Sequence, residues 1–147
     1  MEASLTGKVV LVTGAARRVG AAIAHRLHAA GASLMLHYRG AEPYAQALQA
    51  ELNAVRASSV ALVQADLLNS TGLAEIVKNT LARFERIDAL VNNASTFYPT
   101  PMGEITPAQW DDLIGSNLKA PLFLAQAAAP HLKKTGGSIV NIADIHA

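Results

Sequence analysis

The sequence contains no cysteine, few charged residues and no long apolar run. Without cysteine, a disulfide framework and a thiolate metal site are excluded, which is consistent with a reducing compartment. Charged residues make up only 16% of the chain and the net charge is +1, which argues against the broad positive surface of a nucleic-acid-binding protein. No apolar run reaches the ~18 residues that a membrane span needs, and the N-terminal residues lack the pattern of a secretion signal. We therefore expect a cytoplasmic protein with neither a nucleic-acid nor a membrane partner.

Short apolar runs alternate with segments of helical periodicity along the whole chain. The 147 residues are 51% apolar, which is sufficient for the core of one domain. The apolar runs predict strands at 9–12, 33–36, 60–63, 89–91 and 138–142. The periodic segments predict helices at 19–30, 43–56, 73–84 and from 107 to about 134. Because consecutive apolar residues suit strands that are buried on both faces, the pattern predicts a single α/β domain, residues 1–147, with a parallel sheet.

Capping residues mark the starts of two predicted helices. Ser70 or Thr71 precedes the third helix, and either side chain can cap it. Residues 106–109 combine a capping threonine, a proline at the first helical position and a glutamine at the third. This combination predicts a capping box at the start of the last helical segment.

Gly115 and Pro121 interrupt that last helical segment. We expect it to divide into a short helix that ends near residue 113 and a longer helix that begins at about residue 117. The run 125–129 is rich in alanine and gives the longer helix a surface of small residues. These alanines either pack close to the sheet or form a helix-to-helix contact with a second subunit.

The first predicted strand ends in a glycine-containing turn that leads directly into the first helix. The N–H groups at a helix start lack partners within the helix and carry partial positive charge, so they bind phosphate groups. Arg17 and Arg18 stand at this end, where a cation without a bound anion costs about 0.3–1 kcal/mol. We therefore predict that the pyrophosphate of a dinucleotide binds here, although the spacing departs from Gly-x-Gly-x-x-Gly. The candidate ligands are Gly14, Arg17, Arg18 and Gly20.

The second predicted strand ends in His37-Tyr38-Arg39, where a residue that binds a ribose 2′-hydroxyl would be Asp or Glu. A carboxylate would repel a 2′-phosphate, whereas Arg39 can form charge-assisted hydrogen bonds to one. All three residues are therefore candidate cofactor ligands, with His37 flanking the adenosine phosphate, and NADPH is favoured over NADH. The alternative for Arg39 is a solvated loop cation. The five histidines lack the grouping of a metal site, so no metal is expected.

Polar residues also follow the third and fourth predicted strands, at the edge where open α/β sheets bind ligands. Asp66, with Leu67 beside it, can hold an adenine amino group or simply begin a turn. Asn92 and Asn93 offer amides that can bond backbone across the strand ends, and Ala94 allows close approach of a ligand. Taken alone, this second segment is equally consistent with a turn. Asp66, Leu67, Asn92 and Ala94 join the candidate cofactor-binding residues.

Together these motifs resemble the short-chain dehydrogenase/reductase family over essentially the whole chain. The matching positions are 13–20, Asp66, the Asn-Asn-Ala motif at 92–94, Asn117 and 137–142. Within that family the sequence is similar to the pteridine reductases. The shared features are Arg18 in place of the usual middle glycine, Ser95 in place of the glycine after Asn-Asn-Ala, Phe-Tyr-Pro-Thr-Pro at 97–101, and Asp144 where most members have the catalytic serine.

The resemblance implies roles for these residues. Phe97 would stack a flat pterin against the nicotinamide, while Arg18 and Ser95 would contact the same substrate. Asn117 matches the structural and proton-relay asparagine of the family, and Asp144 would support the final proton transfer. These two are the candidate catalytic residues. The competing interpretations are loop packing for Phe97 and a helix cap for Asp144.

Members of this family take the substrate proton from the tyrosine of a Tyr-x-x-x-Lys segment, which would lie beyond Ala147. We therefore expect the sequence to be the N-terminal, five-strand portion of a Rossmann-like doubly wound sheet, inactive without the remainder. The expected function is hydride transfer from NADPH to a pterin or dihydrofolate-like ring, in a homotetramer. The alternatives are a carbonyl reductase of the 3-oxoacyl type and, if the chain is complete, a non-catalytic NADPH-binding module.

Overall fold

The computed structural model describes residues 4–143, in which strands and helices alternate. The strands are β1 (Val9–Val12), β2 (Ser33–Tyr38), β3 (Val60–Gln64), β4 (Ala89–Asn92) and β5 (Ser138–Asn141). The helices are α1 (Arg18–Ala29), α2 (Glu42–Val55), α3 (Leu73–Phe84), α4 (Pro107–Ile114) and α5 (Ala120–Thr135). A 3₁₀ turn, Ser70–Gly72, precedes α3, and a π-helical segment, Gly115–Lys119, joins α4 to α5. All five predicted strands are confirmed.

The five strands are parallel and lie in the order β3-β2-β1-β4-β5. β1 is central, and its Leu11 pairs with Met35 of β2 and with Leu90 of β4. The chain moves outward from β1 to β3 and then in the opposite direction through β4 and β5, so the order switches between β1 and β4. Ligands of open α/β sheets bind outside the carboxyl ends of the strands at such a switch. The predicted Rossmann-like sheet is thus confirmed. A ligand site is expected at the ends of β1 and β4.

Alternate residues of β1 are buried on opposite faces of the sheet. Leu11 packs in one core together with Ile76 of α3 and Leu124 of α5. Val10 and Val12 pack in the other core, on the side of α1 and α2. Because helices cover both faces of this strand, all of its side chains are buried, and each contributes about 1.5–3 kcal/mol of hydrophobic stabilisation. β1 is therefore a rigid support for the turn that follows it.

The last helical segment remains continuous, contrary to the expected division. α4 begins with the predicted capping box, since the Thr106 side chain accepts from the Gln109 N–H and the Gln109 side chain accepts from the Thr106 N–H. Gly115 then opens the π-helical segment instead of ending the helix. Pro121 has no N–H to donate to Asn117, which favours a wider turn at this point. The π-helical segment keeps α4 and α5 joined and carries Asn117.

The predicted cap of the third helix is wrong. Ser70 and Thr71 lie in the 3₁₀ turn, and the residue that precedes α3 is Gly72, which makes no side-chain capping bond. Thr71 instead donates a hydrogen bond to the Asn69 side chain at 2.7 Å. The extra turn moves the start of α3 to Leu73, beyond the reach of either hydroxyl.

The alanine-rich run of α5 packs inside the domain. Ala128 is fully buried in the core, and Ala125 and Ala127 pack against the same core. The exposed side of α5 carries Leu122 and Phe123 instead. These positions support packing within the domain as the role of the small residues, in place of a contact with a second subunit.

A buried polar cluster joins α1, α2 and β3 at the amino ends of the strands. His28 is only 3% exposed, and its Nε2 lies 2.7 Å from Ser59 Oγ. Ser59 Oγ donates to the Arg56 carbonyl at 2.5 Å, so the His28 N–H is the donor in the pair. The Arg56 guanidinium in turn donates to the carbonyls of His28 and Ala32. Burial lowers the pKa of His28, and the charges of Arg56 and His25 lower it further.

We expect the stability of the fold to fall as the pH drops below about 6.5. The folded pKa of His28 lies below its ordinary value of 6.5, so the unfolded chain takes up a proton first. This contribution to stability is complete above pH 6.5 and is lost as the pH falls through the folded pKa. Thermal unfolding at about pH 8 and about pH 5.5 measures the loss. His28→Gln should reduce the difference between the two melting temperatures, whereas His131→Gln on α5 should leave it unchanged; an unreduced difference in His28→Gln would refute the prediction.

Candidate functional site

A groove of about 850 Å³ lies at the carboxyl ends of β1 to β4, beside the start of α1. Most of the residues proposed from the sequence line it: Gly14, Arg17, Arg18, Gly20, His37, Tyr38, Arg39, Asp66, Leu67, Ala94 and Ser95. Of the other candidates, Asn92, Phe97 and Asn117 do not line it. Asp144 lies outside the described residues. The sheet has therefore brought together residues from four separate strand ends.

Two glycines allow the turn after β1 to pack closely. Gly14 has φ of +60°, and a Cβ at this position would lie 2.8 Å from the Cα of Ala94, which follows β4. A Cβ on Gly20 would lie 2.1 Å from the Gly14 carbonyl oxygen. Both positions therefore require glycine for the close approach of backbone, as phosphate-binding turns generally do. The turn, the first turn of α1 and the end of β4 form one packed unit.

Thr13 and Asn93 hold this unit together; Thr13 was not a candidate from the sequence, and Asn93 was singled out only as an amide that can bond backbone. Thr13 Oγ1 accepts hydrogen bonds from the N–H groups of Asn93 and Ala94, each at 3.0 Å. Asn93 Nδ2 donates to the carbonyls of Thr13 and Gly14, each at 3.1 Å. The sequence predicted that the Asn-Asn pair bonds backbone across the strand ends, but it did not show which of the two amides does so.

Asn93 lines the groove and Asn92 does not, and the proposed cofactor contact of Asn92 stays a prediction. The side chain of Asn92 is buried, and its Nδ2 donates to Asn141 Oδ1 at 2.9 Å. Its Oδ1 is buried and makes no hydrogen bond to the residues that the structure describes. Successive side chains of a strand point to opposite faces, so neighbouring amides cannot serve the same contact. Asn92 therefore links β4 to β5.

His37 contacts the turn that follows β1. Its Nδ1 accepts a hydrogen bond from the Gly14 N–H at 3.2 Å, and its Nε2 lies 3.0 Å from the Ala65 carbonyl. Since Nδ1 accepts, Nε2 carries the proton and donates. Burial lowers the pKa of His37, against the smaller opposing effects of the Ala65 carbonyl and Asp66, so the ring is held neutral. With both nitrogens engaged, His37 positions the turn, and its predicted place beside the adenosine phosphate stays a prediction.

Three exposed arginines stand along the groove: Arg17, Arg18 and Arg39. Arg17 Cζ lies 5.0 Å from the centre of the Tyr44 ring, a cation–π contact that orients this side chain. Arg18 has φ of +54°, a left-handed conformation that costs a non-glycine residue about 1–2 kcal/mol. The first turn of α1 contains no acidic residue that would offset the positive helix end. The charge of the groove is therefore suited to an anion.

Further residues at the ends of β2 and β3 also border the groove. Asp66 Oδ1 accepts from the Leu68 N–H at 3.0 Å, which confirms its role in a turn; its proposed adenine contact stays a prediction. Leu67 is buried and belongs to the core on the side of α3. Tyr38 is largely buried as well, and burial together with the nearby Glu42 raises the pKa of its hydroxyl. These residues offer both apolar and polar surface.

The segment after β4 carries the predicted substrate residues. Ser95 lines the groove, whereas Phe97 is 88% exposed and is not among the residues that line it. Asn117 of the π-helical segment accepts from the Thr96 N–H at 3.2 Å and donates to the Thr96 carbonyl at 2.7 Å. This reciprocal pair fixes the backbone between Ser95 and Phe97. The structure thus gives Asn117 a clear positioning contact, while its proton-relay role stays a prediction.

A known protein family matches nearly the whole chain. The sequence profile of the short chain dehydrogenases matches residues 8–147. The chain belongs to the short chain dehydrogenase family. In this member of the family, Thr13 and Asn93 join the two strand ends at the switch point, and the arginines of the turn face the resulting groove.

Individual relatives span more than the present chain. Pteridine reductase 1 from Leishmania tarentolae is 38% identical over 182 aligned residues, which cover 98% of this chain and 63% of the relative. The hydroxynaphthalene reductase-like protein Arp2 from Metarhizium brunneum is 36% identical and covers 98% of this chain and 53% of the relative. Among solved structures, a blue fluorescent protein from a metagenomic library, in complex with NADPH, is 35% identical with a TM-score of 0.91, covering 97% of this chain and 57% of that protein. The chain therefore spans about half to two thirds of the length of these relatives.

Two structural features are absent from the described part of this short chain dehydrogenase. Between residues 4 and 143, no group of three histidine or acidic side chains is placed to hold a metal ion. Within the same range, no helix has the length and apolar character needed to cross a bilayer.

Proposed function

We propose that this chain is the cofactor-binding part of an NADPH-dependent reductase. The observation that supports this most strongly is the glycine-containing turn after β1, with Arg17, Arg18 and Arg39 around one groove. The first N–H groups of α1 have no partners within the helix and point toward a ligand at its start. The pyrophosphate would bind there. The NADPH complex of the metagenomic relative is consistent with this choice of cofactor.

The end of β2 supports NADPH over NADH. Arg39 borders the groove there, and no carboxylate occupies the positions from His37 to Arg39 where one would repel a 2′-phosphate. A guanidinium can donate two parallel hydrogen bonds to a phosphate, and such charge-assisted bonds are about twice as strong as neutral ones. We assign Arg39 to the 2′-phosphate and Arg17, held by Tyr44, to the pyrophosphate.

We further propose a pterin or dihydrofolate-like ring as the substrate. When bound, NADPH supplies a hydride to a C=N bond of that ring. Ser95 would donate a hydrogen bond to the ring from inside the groove, Arg18 would contact its polar edge, and Phe97 would stack on its face. Asn117 would keep these groups in place through Thr96, and Asp144 would support the final proton transfer. The similarity to a pteridine reductase supports this substrate class.

An assay of NADPH consumption by the intact gene product tests the proposal. Turnover of dihydrobiopterin, with little turnover of a 3-oxoacyl thioester, is the expected result. The opposite preference would refute the pterin assignment and would favour a carbonyl reductase of the 3-oxoacyl type. Tight NADPH binding without turnover of any substrate would refute catalysis altogether and would favour a binding module.

Arg39→Asp is expected to weaken NADPH binding about 100-fold, because it removes charge-assisted hydrogen bonds and adds a repulsive carboxylate. NADH, which lacks the 2′-phosphate, should lose much less affinity. Titration calorimetry with both dinucleotides measures the two changes. Lys134→Asp, on the exposed last turn of α5, makes the same change in net charge away from the groove and should bind NADPH like the wild type. Unchanged NADPH affinity in Arg39→Asp would contradict the assignment.

For the assembled protein we propose a cytoplasmic homotetramer. The exposed side of the α4–α5 region carries large apolar side chains, including Trp110, Leu118 and Leu122. Exposed apolar groups that lie on one helical region are typical of contacts between subunits. Light scattering coupled to gel filtration gives the mass in solution, and a monomeric mass would refute the tetramer.

A further inference from the structure

The segment that follows β4 is held at two points, one on each side of Phe97. On the amino side, Asn117 binds both backbone polar groups of Thr96. On the carboxyl side, the Tyr98 hydroxyl donates to Asp112 Oδ2 of α4 at 2.9 Å. Phe97 itself is exposed between these two anchors. Its ring is therefore presented to solvent between Thr96, which is held through its backbone, and Tyr98, which is held through its side chain.

The loop beyond Tyr98 has features that limit its bending, so its attachment through the Tyr98–Asp112 hydrogen bond matters for its position. Pro99 and Pro101 have fixed φ angles and limit bending within the loop. A turn follows, in which the Glu104 N–H donates to the Pro101 carbonyl at 3.0 Å and Gly103 has φ of +93°. Because these features limit bending within the loop, we expect its position to be set where it is attached. The Tyr98 hydrogen bond is the attachment nearest to Phe97 on this side.

Asp112 connects this anchor to the groove. Its carboxylate accepts from Tyr98, while its carbonyl accepts from the Ser116 hydroxyl at 2.8 Å, and Ser116 lines the groove. Burial of the Tyr98 hydroxyl and the adjacent Asp112 raise the pKa of Tyr98, so the phenol remains a donor throughout the neutral range. The same residue of α4 thus contacts both the loop and the groove wall.

We infer that Tyr98 and Asp112 are positioning residues that set the place of Phe97 and thereby select flat, two-ring substrates. The inference rests on the proposed function, since it concerns the substrate side of the same site. Tyr98 and Asp112 act through Phe97 and not by contact with the cofactor. Their loss should weaken substrate binding and leave both hydride transfer and NADPH affinity nearly intact.

Steady-state kinetics with dihydrobiopterin test this role. Tyr98→Phe and Asp112→Ala should each raise KM about three- to ten-fold, as expected for one lost hydrogen bond, with kcat and NADPH affinity close to wild type. Asp112→Asn retains an oxygen that accepts from Tyr98 and should restore the wild-type KM. Asp111→Ala removes the neighbouring exposed carboxylate and should have no effect. A fall in kcat alone, or an unchanged KM in both variants, would overturn the inference.

A second measurement does not depend on turnover. Chymotrypsin cleaves after exposed aromatic residues, and Phe97 remains available in every variant. Tyr98→Phe and Asp112→Ala should be cleaved within 97–102 at least about three times faster than the wild type and Asp111→Ala. Equal cleavage rates would refute the anchor. If the wild type reduces no pterin, the proposed function fails, while faster cleavage of these two variants still supports their role in placing Phe97.

Discussion

Gly20→Ala is expected to abolish NADPH binding and to lower the free energy of unfolding by about 3 kcal/mol. The added Cβ would lie 2.1 Å from the Gly14 carbonyl oxygen and 2.7 Å from Asn93 Nδ2. One of these atoms is backbone and the other is bonded to Thr13 and Gly14, so neither moves without opening the turn. Titration calorimetry with NADPH and unfolding in urea measure the two effects.

Gly72→Ala is the matched control for this substitution. Its new Cβ would lie 3.5 Å from Asn69 Nδ2, an ordinary contact, and Gly72 has φ of −84°, which any residue adopts. We expect a change in stability within about 0.5 kcal/mol and unaltered NADPH binding. Wild-type affinity for NADPH in Gly20→Ala would show that the close approach of α1 to the turn is not needed for the cofactor.

Asp88→Ala should lower the free energy of unfolding by about 2–4 kcal/mol without any contact with the groove. Asp88 is 7% exposed, and its Oδ2 accepts from the Val9 N–H at 2.9 Å and from Arg86 Nε at 2.8 Å. Its Oδ1 lies 2.6 Å from Arg86 Nη2 and 3.3 Å from Lys8 Nζ. Truncation leaves the Val9 N–H without this partner at the start of β1. Unfolding in urea measures the loss, and Asp111→Ala, an exposed carboxylate, should show almost none; a wild-type midpoint for Asp88→Ala would contradict the prediction.

The Asp88 carboxylate also makes the stability of the fold depend on pH in the acidic range. Burial alone would raise the pKa of Asp88, but the hydrogen bonds from Arg86, the Val9 N–H and Lys8 outweigh burial and bring the pKa below the ordinary value of 3.8. The contribution of Asp88 is therefore present above pH 3.8 and is lost as the pH falls through the folded pKa. Below about pH 4, the free energy of unfolding should accordingly fall less steeply with decreasing pH for Asp88→Ala than for the wild type.

The sheet could be predicted because its strands are short apolar runs that turn residues separate. In β1, every residue is buried, so the apolar run and the strand coincide. The helix boundaries were harder, since the wider turn at Gly115–Lys119 depends on Pro121 and on packing that periodicity does not show. The cap of α3 failed for a related reason: an additional 3₁₀ turn separates Ser70 from the helix.

The site could be predicted as far as the strand ends, but not in the direction of each side chain. Gly14, Gly20, Arg17 and Arg18 could be predicted because they belong to one short turn segment that is recognisable in the sequence. Asn93 bonds the turn and Asn92 bonds Asn141, because successive side chains along a strand point in opposite directions. His37 has both nitrogens bonded to backbone that is distant in sequence, at Gly14 and Ala65. Such contacts depend on tertiary structure, and no local pattern encodes them.

The bonds between Thr13 and Asn93 span eighty positions of the chain, and this separation governs when the protein gains its ligand. Contacts so far apart in sequence form late, because a long loop has to close first. On the ribosome, a nascent chain that already displays Arg17 and Arg39 still lacks the part of the groove that residues 93–95 form until those residues have emerged. We therefore expect a half-made polypeptide to bind no dinucleotide before translation has passed β4.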